Sequence, residues 1–571
     1  MLMQKQLPIG YDSFKKLISE NLYYVDKTLL IKDILDKKSQ VNLFTRPRRF
    51  GKTLTLSMLR AFFENVPSNR ELFSGLKIMN AGEIYTNQMG KYPVISLSLK
   101  SAKQPNFEMA YESIIDEVSK EYQRHVYVLD SVRLFDAEKE QYRRIMEKNA
   151  KEIEYAKALE FLSACLAKVH EQSVIILIDE YDVPLENAYF TGFYNEMIDF
   201  IRSLFESALK TNENLKFAVI TGCLRISKES IFTGLNNLEI HSILNQDYSE
   251  HFGFIQSEVD EMLEYYQLQD KKMELKEWYD GYLFGKTEVY NPWSVINYVK
   301  AAKTDSMAYP KPYWSNTSSN SIVRELIERA DSTVKQEIEG LLLGETIEKS
   351  VQDDITYEDI YKTQDNLWSF LLFTGYLKKV DERFEQDKVQ LTMAIPNAEI
   401  RYIYRNTILE WFQNKVDKAD FRELYTAIQS GEVKTMEETI TNQLVETISF
   451  YDYAENYYHG FLCGLLKACP GFAILSNRES GTGRPDIIMK TPSVRGMAVI
   501  MELKVVKSFD EMEAGCAQAL EQIEEQNYES ALWQEGYRKI VKYGICFYRK
   551  ECMVKMGGTN GNLSEPWKRT V

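Results

Sequence analysis

The chain has 571 residues, with 69 Lys and Arg against 84 Asp and Glu, a formal net charge of −15. That length exceeds one hydrophobic core and predicts two to four domains. The acidic balance excludes a generic polyanion binder, so any nucleic-acid contact must be a local patch or be screened by metal ions.

The seven cysteines, Cys165, Cys223, Cys463, Cys469, Cys516, Cys546 and Cys552, are scattered with no C-x-x-C pair. They predict reduced thiols rather than a disulfide framework or a zinc site. His125, His170, His241, His251 and His459 show no metal-ligand spacing, which argues against a histidine-based centre. The first ten residues have no long apolar region, and no stretch supplies the roughly 18 apolar residues of a membrane span. A cytoplasmic protein with no membrane segment is expected.

In chain order, Tyr23-Tyr24-Val25-Asp26-Lys27-Thr28 precedes a helical pattern over 27–36. Two readings of Asp26 stand: an N-cap beside core aromatics, or a group lying with the tyrosine pair against a nucleotide base. Next, the apolar run Val41-Asn42-Leu43-Phe44 leads through Thr45-Arg46-Pro47-Arg48-Arg49-Phe50-Gly51-Lys52-Thr53 into the helical Leu54-Thr55-Leu56. Strand, tight loop and helix ending in Gly-Lys-Thr form a phosphate cradle. Backbone N–H groups and the helix N-terminus hold phosphate, the lysine reaches the β/γ oxygens, and the threonine hydroxyl sits on Mg²⁺. Arg49, Phe50, Gly51, Lys52, Thr53 and Leu54 are the candidate nucleotide-binding residues. The first glycine of GxxxxGK[ST] would fall at Arg46, where this chain has Arg46-Pro47.

A second strand is read at Tyr92-Pro93-Val94-Ile95-Ser96-Leu97-Ser98-Leu99, and a helix carrying Phe107, Tyr111, Ile114, Ile115 and Val118 on one face. Ser173-Val174-Ile175-Ile176-Leu177-Ile178-Asp179-Glu180 has the composition of a buried parallel strand ending in two acids. Asp179 is the candidate Mg²⁺-shell ligand and Glu180 the residue that polarises the attacking water. After a helix near 193–209, Leu215-Lys216-Phe217-Ala218-Val219-Ile220-Thr221-Gly222 is another buried strand. Its Thr221 is a γ-phosphate sensor or a strand-end hydroxyl satisfying a turn. Arg225 and Lys228 follow as candidates for neutralising transition-state charge. The alternation predicts a doubly wound α/β sheet over 1–253 with ligand at the carboxyl ends of the strands.

From 254 to 400 the pattern is helical and aromatic. It closes on a hairpin, Tyr376-Leu377-Lys378-Lys379-Val380 with Val389-Gln390-Leu391-Thr392-Met393-Ala394-Ile395-Pro396, whose wing spans 381–388. A helical, winged-helix-like middle domain is expected. Over 401–571, leading helices precede strands at 471–476, 485–489 and 496–506. Residues two apart in a strand share a face, so Glu502 and Lys504 point together. If the strand of Asp486 pairs with theirs, two carboxylates for Mg²⁺ or Mn²⁺ and an ammonium converge, a kit for metal-assisted phosphodiester hydrolysis. Glu455 on the preceding helix, and Gln518 with Gln522 on the following one, are further candidates.

The N-terminal part resembles the bacterial and archaeal AAA-ATPase-like family. The resemblance rests on Tyr23-Tyr24-Val25-Asp26-Lys27-Thr28, Arg46-Pro47-Arg48-Arg49-Phe50-Gly51-Lys52-Thr53, Leu177-Ile178-Asp179-Glu180-Tyr181-Asp182, and Trp278-Tyr279-Asp280-Gly281-Tyr282 with Tyr290-Asn291-Pro292. The C-terminal part is similar to the PD-(D/E)XK nuclease superfamily. This resemblance implies a P-loop NTPase fold binding ATP at Lys52 and Thr53, with Asp179 and Glu180 as Mg²⁺ and water residues. It also implies a restriction-endonuclease-like α/β domain with its site at Asp486, Glu502 and Lys504. The leading expectation is an ATP-gated, metal-dependent nuclease acting on nucleic acid of unassigned type. The rivals are a nucleotide-switched protein whose nuclease-like fold binds nucleic acid or a partner without cutting, and an ATPase acting on proteins. A homo-oligomer is left open.

Overall fold

The computed structural model describes residues 4–558 apart from 211, 226–230, 233–234, 315–322, 325–330, 353–356, 361, 386–387, 419–420, 447–454, 468 and 477–483. The chain divides into two compact units, Met1–Ser319 with Thr346–Ile403, and Asn320–Glu345 with Tyr404–Val571. The middle segment expected over 254–400 therefore belongs mostly to the same unit as the first sheet.

In the first unit, β1 (Val41–Thr45), β2 (Val94–Ser98), β3 (Val174–Asp179), β4 (Leu215–Gly222) and β5 (Leu238–His241) form one sheet in the order β2-β3-β4-β1-β5. All its pairings are parallel. Every residue of β1 and β3 is buried, as a parallel strand covered by helices on both faces requires. The order matters for the site because β4 lies between the loop strand β1 and the acidic strand β3. The register brings Thr45 beside Gly222, Phe44 beside Thr221 and Ser98 beside Asp179, so the polar strand ends share one edge.

The helix expected to start at Lys27 starts two residues later, at Leu29. Asp26 instead closes a local turn, accepting from the Thr28 amide at 2.9 Å and the Thr28 hydroxyl at 2.6 Å. A short hairpin, β6 (Tyr282–Phe284) with β7 (Thr287–Val289), follows the sheet. Then β8 (Ile347–Ser350), β9 (Lys378–Glu385) and β10 (Lys388–Ala394) form an antiparallel sheet in the order β8-β10-β9. The segment read as a wing loop is thus strand up to Glu385: alternating Asp, Arg and Glu side chains on an exposed edge hide its strand character.

The second unit carries β11 (Ala473–Ser476), β12 (Ile487–Lys490), β13 (Ala498–Val505), β14 (Ile540–Tyr548) and β15 (Glu551–Met556), paired in chain order. Only β13 and β14 run parallel, joined by the crossover helix Met512–Glu525. That helix packs so closely on β14 that a Cβ at Gly544 would lie 2.3 Å from the Cys516 carbonyl oxygen. On the sheet's other face, Tyr458 stacks on Phe547 with ring centroids 4.2 Å apart.

Candidate nucleotide-binding and nuclease-like sites

The loop between β1 and the helix Lys52–Phe63 is built by residues that cannot be exchanged freely. Gly51 has φ +84°, a left-handed conformation that disfavours any side chain. Arg49 also turns through φ +72°. Arg46, in the position of the missing first glycine, continues β1, its amide donating to the Gly222 carbonyl at 3.0 Å. Its fully buried guanidinium donates to the carbonyls of Thr45 and His241 at 2.9 and 2.6 Å, stapling β1 to β5. The faces of Phe252 and Phe284 lie 5.2 and 5.1 Å away, and burial pulls the guanidinium down to about 9. Phe50 is buried against Tyr282 and Phe284, so its ring anchors the loop rather than facing its mouth. Leu54 is half-buried one turn into the helix.

The Lys52 ammonium curls under the loop and donates to the carbonyls of Arg46 and Pro47 at 2.8 and 3.0 Å. The Thr53 hydroxyl donates to Asp179 Oδ2 at 2.7 Å, and the Thr221 hydroxyl to Asp179 Oδ1 at 2.5 Å. Two strand ends and the first turn of the helix Lys52–Phe63 therefore meet on one carboxylate. Glu180 follows it with φ +52°, and burial and the neighbouring Asp179 raise its carboxyl above the usual range. The turn after β4 is held by buried Asp182, which accepts from the amides of Cys223 and Leu224 at 2.7 and 3.1 Å. Arg225 lies just beyond, half-buried, and Lys228 falls outside the described residues. Asp26 is not brought to this cluster: its second oxygen accepts from the Lys77 amide at 2.7 Å.

The donor set fits a nucleoside triphosphate with Mg²⁺. It offers a left-handed glycine at a helix N-terminus, one lysine on the loop carbonyls, and a hydroxyl and carboxylate already in register. Sequence reasoning missed Asp182, Trp293 and Glu186, which pairs with Arg48 at 2.5 Å. The Tyr290-Asn291-Pro292-Trp293 string carries the only signal for Trp293.

In the second unit, Asp486 immediately precedes β12, and its Oδ2 accepts from the Leu503 amide at 2.8 Å. Glu502 Oε2 accepts from the Asp486 amide at 3.3 Å, and the Lys504 ammonium lies 3.5 Å from Glu502 Oε1. The strand pairing thus brings together the three groups read from the sequence. Glu502 is almost wholly buried, and burial followed by the Asp486 charge pushes its carboxyl up to about 7. Burial likewise raises Asp486. A divalent cation would relieve both costs at once, so the pair fits one. Among the described residues no group of three or more His, Cys, Asp or Glu could hold a metal, so a cation here would complete its shell with other oxygens.

Gln522 donates to Glu502 Oε1 and reaches the Tyr528 hydroxyl at 3.4 Å, whereas Gln518, one turn earlier, is exposed. Glu455 opens the helix Glu455–Leu466, but its side chain lies outside the described residues. His459, which sequence spacing passed over, has Nε2 3.0 Å from both the Asp486 carbonyl and the Ser476 hydroxyl, tying that helix to the strand ends. The Gly481 and Gly483 turn lies outside the described residues.

Comparison with known proteins agrees with this division. A family described as predicted AAA-ATPase matches residues 8–232, and one described as PD-(D/E)XK nuclease superfamily matches residues 453–556. An "Uncharacterized protein in vnfD 5'region" of Azotobacter chroococcum mcd 1 is 26% identical over 336 residues, spanning 57% of each chain. Among the described residues no helix is long and apolar enough to cross a membrane. The chain joins an AAA-ATPase-like domain to a C-terminal domain of the PD-(D/E)XK nuclease superfamily.

Proposed function

We propose that the first unit binds and hydrolyses ATP, and that this gates a metal-dependent phosphodiesterase in the second unit that acts on nucleic acid. The observation that carries the ATPase half is the shared Asp179 carboxylate, which ties the Thr53 and Thr221 hydroxyls into one cluster beside Glu180. Lys52 and the backbone N–H groups of the 46–51 loop hold phosphate. Thr53 and Asp179 hold Mg²⁺ and its water shell, Thr221 reads the γ-phosphate through Asp179, and Glu180 orients the attacking water. The raised carboxyl of Glu180 suits a group that takes a proton.

The nuclease half is supported by Asp486, Glu502 and Lys504 converging on one strand pair. A Mg²⁺ or Mn²⁺ ion held by the two carboxylates would polarise a phosphodiester oxygen and acidify a water. Lys504 orients that water or the phosphate, and Gln522 donates to the same Glu502 Oε1 that Lys504 faces, fixing the carboxylate. The net charge of −15 supports a local, metal-screened contact with nucleic acid over a broad basic face.

Phosphate release and nucleic-acid cleavage measured on one preparation test both halves. Lys52→Ala is expected to lose the first and Glu502→Ala the second, with each variant folded. A wild type that performs neither, with Mg²⁺ or Mn²⁺ supplied, overturns the reading.

A further inference from the structure

The string Tyr290-Asn291-Pro292-Trp293-Ser294 takes no part in the chemistry above, yet it is among the most constrained segments of the first unit. Asn291 is fully buried, and its side-chain oxygen accepts from the amides of Trp293 and Ser294 at 3.0 and 3.3 Å, capping the helix Pro292–Thr304. Pro292 occupies the first helical position, where its fixed φ suits the start of a helix. The Trp293 indole N–H donates to the Tyr313 carbonyl at 3.2 Å. Ser294 donates to buried Glu399. The indole is therefore fixed at its edge and its backbone, and its face is covered by the Arg49 guanidinium, 4.5 Å from the ring centroid.

Arg49 belongs to the phosphate loop. Its neighbour Arg48 is spent on Glu186 at 2.5 Å, but among the described residues Arg49 makes no ion pair. The charged groups that act on it are Glu180, the water-orienting candidate, and Arg48. A stacked guanidinium keeps its N–H edge free for phosphate oxygens while its plane is held, which a lysine ammonium cannot do.

We propose that Trp293 is a positioning residue that holds Arg49 at the mouth of the phosphate loop, as the cation supplied by this same chain to the charge developing on the transferred phosphoryl group. The assignment rests on the ATPase reading and deepens it. A preplaced cation adds most where charge develops, so its loss falls on turnover more than on ground-state binding.

The test compares ADP and ADP with aluminium fluoride, titrated calorimetrically into wild type, Arg49→Ala, Arg49→Lys, Trp293→Phe and Trp293→Leu, alongside kcat and KM for ATP. ADP affinity is expected to stay within about threefold in all. The tighter binding with aluminium fluoride, and kcat, are expected to fall by about 10²-fold or more in Arg49→Ala and about tenfold in Trp293→Leu. Trp293→Phe retains most of both, and Arg49→Lys resembles Arg49→Ala. In the nucleotide-free protein, Arg49→Ala shifts tryptophan emission in the wild-type background but not in Trp293→Phe. ADP affinity falling in step with the aluminium-fluoride complex, or Trp293→Leu retaining full tightening, overturns the assignment. Wild type that binds ADP without tightening overturns it alone; wild type that binds neither form overturns the ATPase reading as well.

Discussion

Thr53 and Asp179 lie 126 residues apart in the chain, yet the threonine hydroxyl donates to the aspartate at 2.7 Å. The sheet order makes this possible: β4 stands between β3, which ends in Asp179, and β1, whose loop leads into the helix carrying Thr53, and it brings Thr221 to the other oxygen of the same carboxylate. Asp179 is thus oriented through both of its carboxylate oxygens.

That orientation is testable at Thr221, whose hydroxyl is buried and whose removal leaves packing nearly unchanged in Thr221→Val. Losing one hydrogen bond to a charged group is expected to lower kcat for ATP by about tenfold or more, with KM little altered. Steady-state phosphate release decides it. An unchanged kcat assigns the hydroxyl to the strand end alone.

Lys504 stands 3.5 Å from Glu502 and, unlike Glu502, is partly exposed. Lys504→Ala is expected to abolish cutting while Mn²⁺ still binds, since both carboxylates remain. Titration of Mn²⁺ followed by a cleavage assay on the same sample separates the two. Retained cleavage makes the lysine structural.

Glu399, which anchors the backbone beside Trp293 through Ser294, offers a pH signature of the first unit. It is fully buried, accepts from Ser294 and from the Trp314 amide at 2.8 Å, and is surrounded by Tyr279, Tyr282 and Tyr313. Burial raises its carboxyl from 4.5 to about 8. The fold therefore favours the neutral acid. Its contribution to stability is complete below about 4.5 and is lost as pH climbs through about 8. Urea melts of wild type and Glu399→Gln between these limits are expected to diverge, wild type losing stability relative to the variant as pH rises, by a few kcal/mol in all. A difference independent of pH contradicts the account.

The close approach of the Met512–Glu525 helix to β14 predicts that Gly544→Ala is severely destabilising. Its Cβ would meet the Cys516 backbone oxygen at 2.3 Å, and backbone cannot swing aside as a flexible side chain can. A loss of about 2 kcal/mol or more is expected from such overpacking, read as a fall in the denaturation midpoint. Glu502 faces Gly544 across the sheet register, so metal binding should weaken with it.

The buried parallel strands were legible because all-apolar runs ending in Asp179-Glu180 or Thr221-Gly222 leave few alternatives. Glu502 and Lys504 were legible from the period of two alone. β14, β15 and the outer half of β9 were not. β9 carries alternating charges, while β14 and β15 follow a helix and are marked only by apolar residues shared with helical patterns. The displaced helix start at Leu29 shows a carboxylate doing turn work where a cap was expected. The role of Arg46 was hidden for a different reason: a buried arginine with two carbonyls and two aromatic faces as its partners has no local sequence signature. His459 escaped because its partners, Asp486 and Ser476, meet it only through the fold.

The central claim, that nucleotide at the first site governs cutting at the second, is tested most directly by the ATP dependence of cleavage. Labelled single- and double-stranded DNA and RNA are incubated with Mg²⁺ or Mn²⁺, with and without ATP, in wild type, Lys52→Ala and Glu502→Ala. The account predicts cutting that vanishes in Glu502→Ala and responds to ATP in wild type but not in Lys52→Ala. Cutting that is indifferent to ATP in wild type, or no cutting while ATP is still hydrolysed, contradicts it.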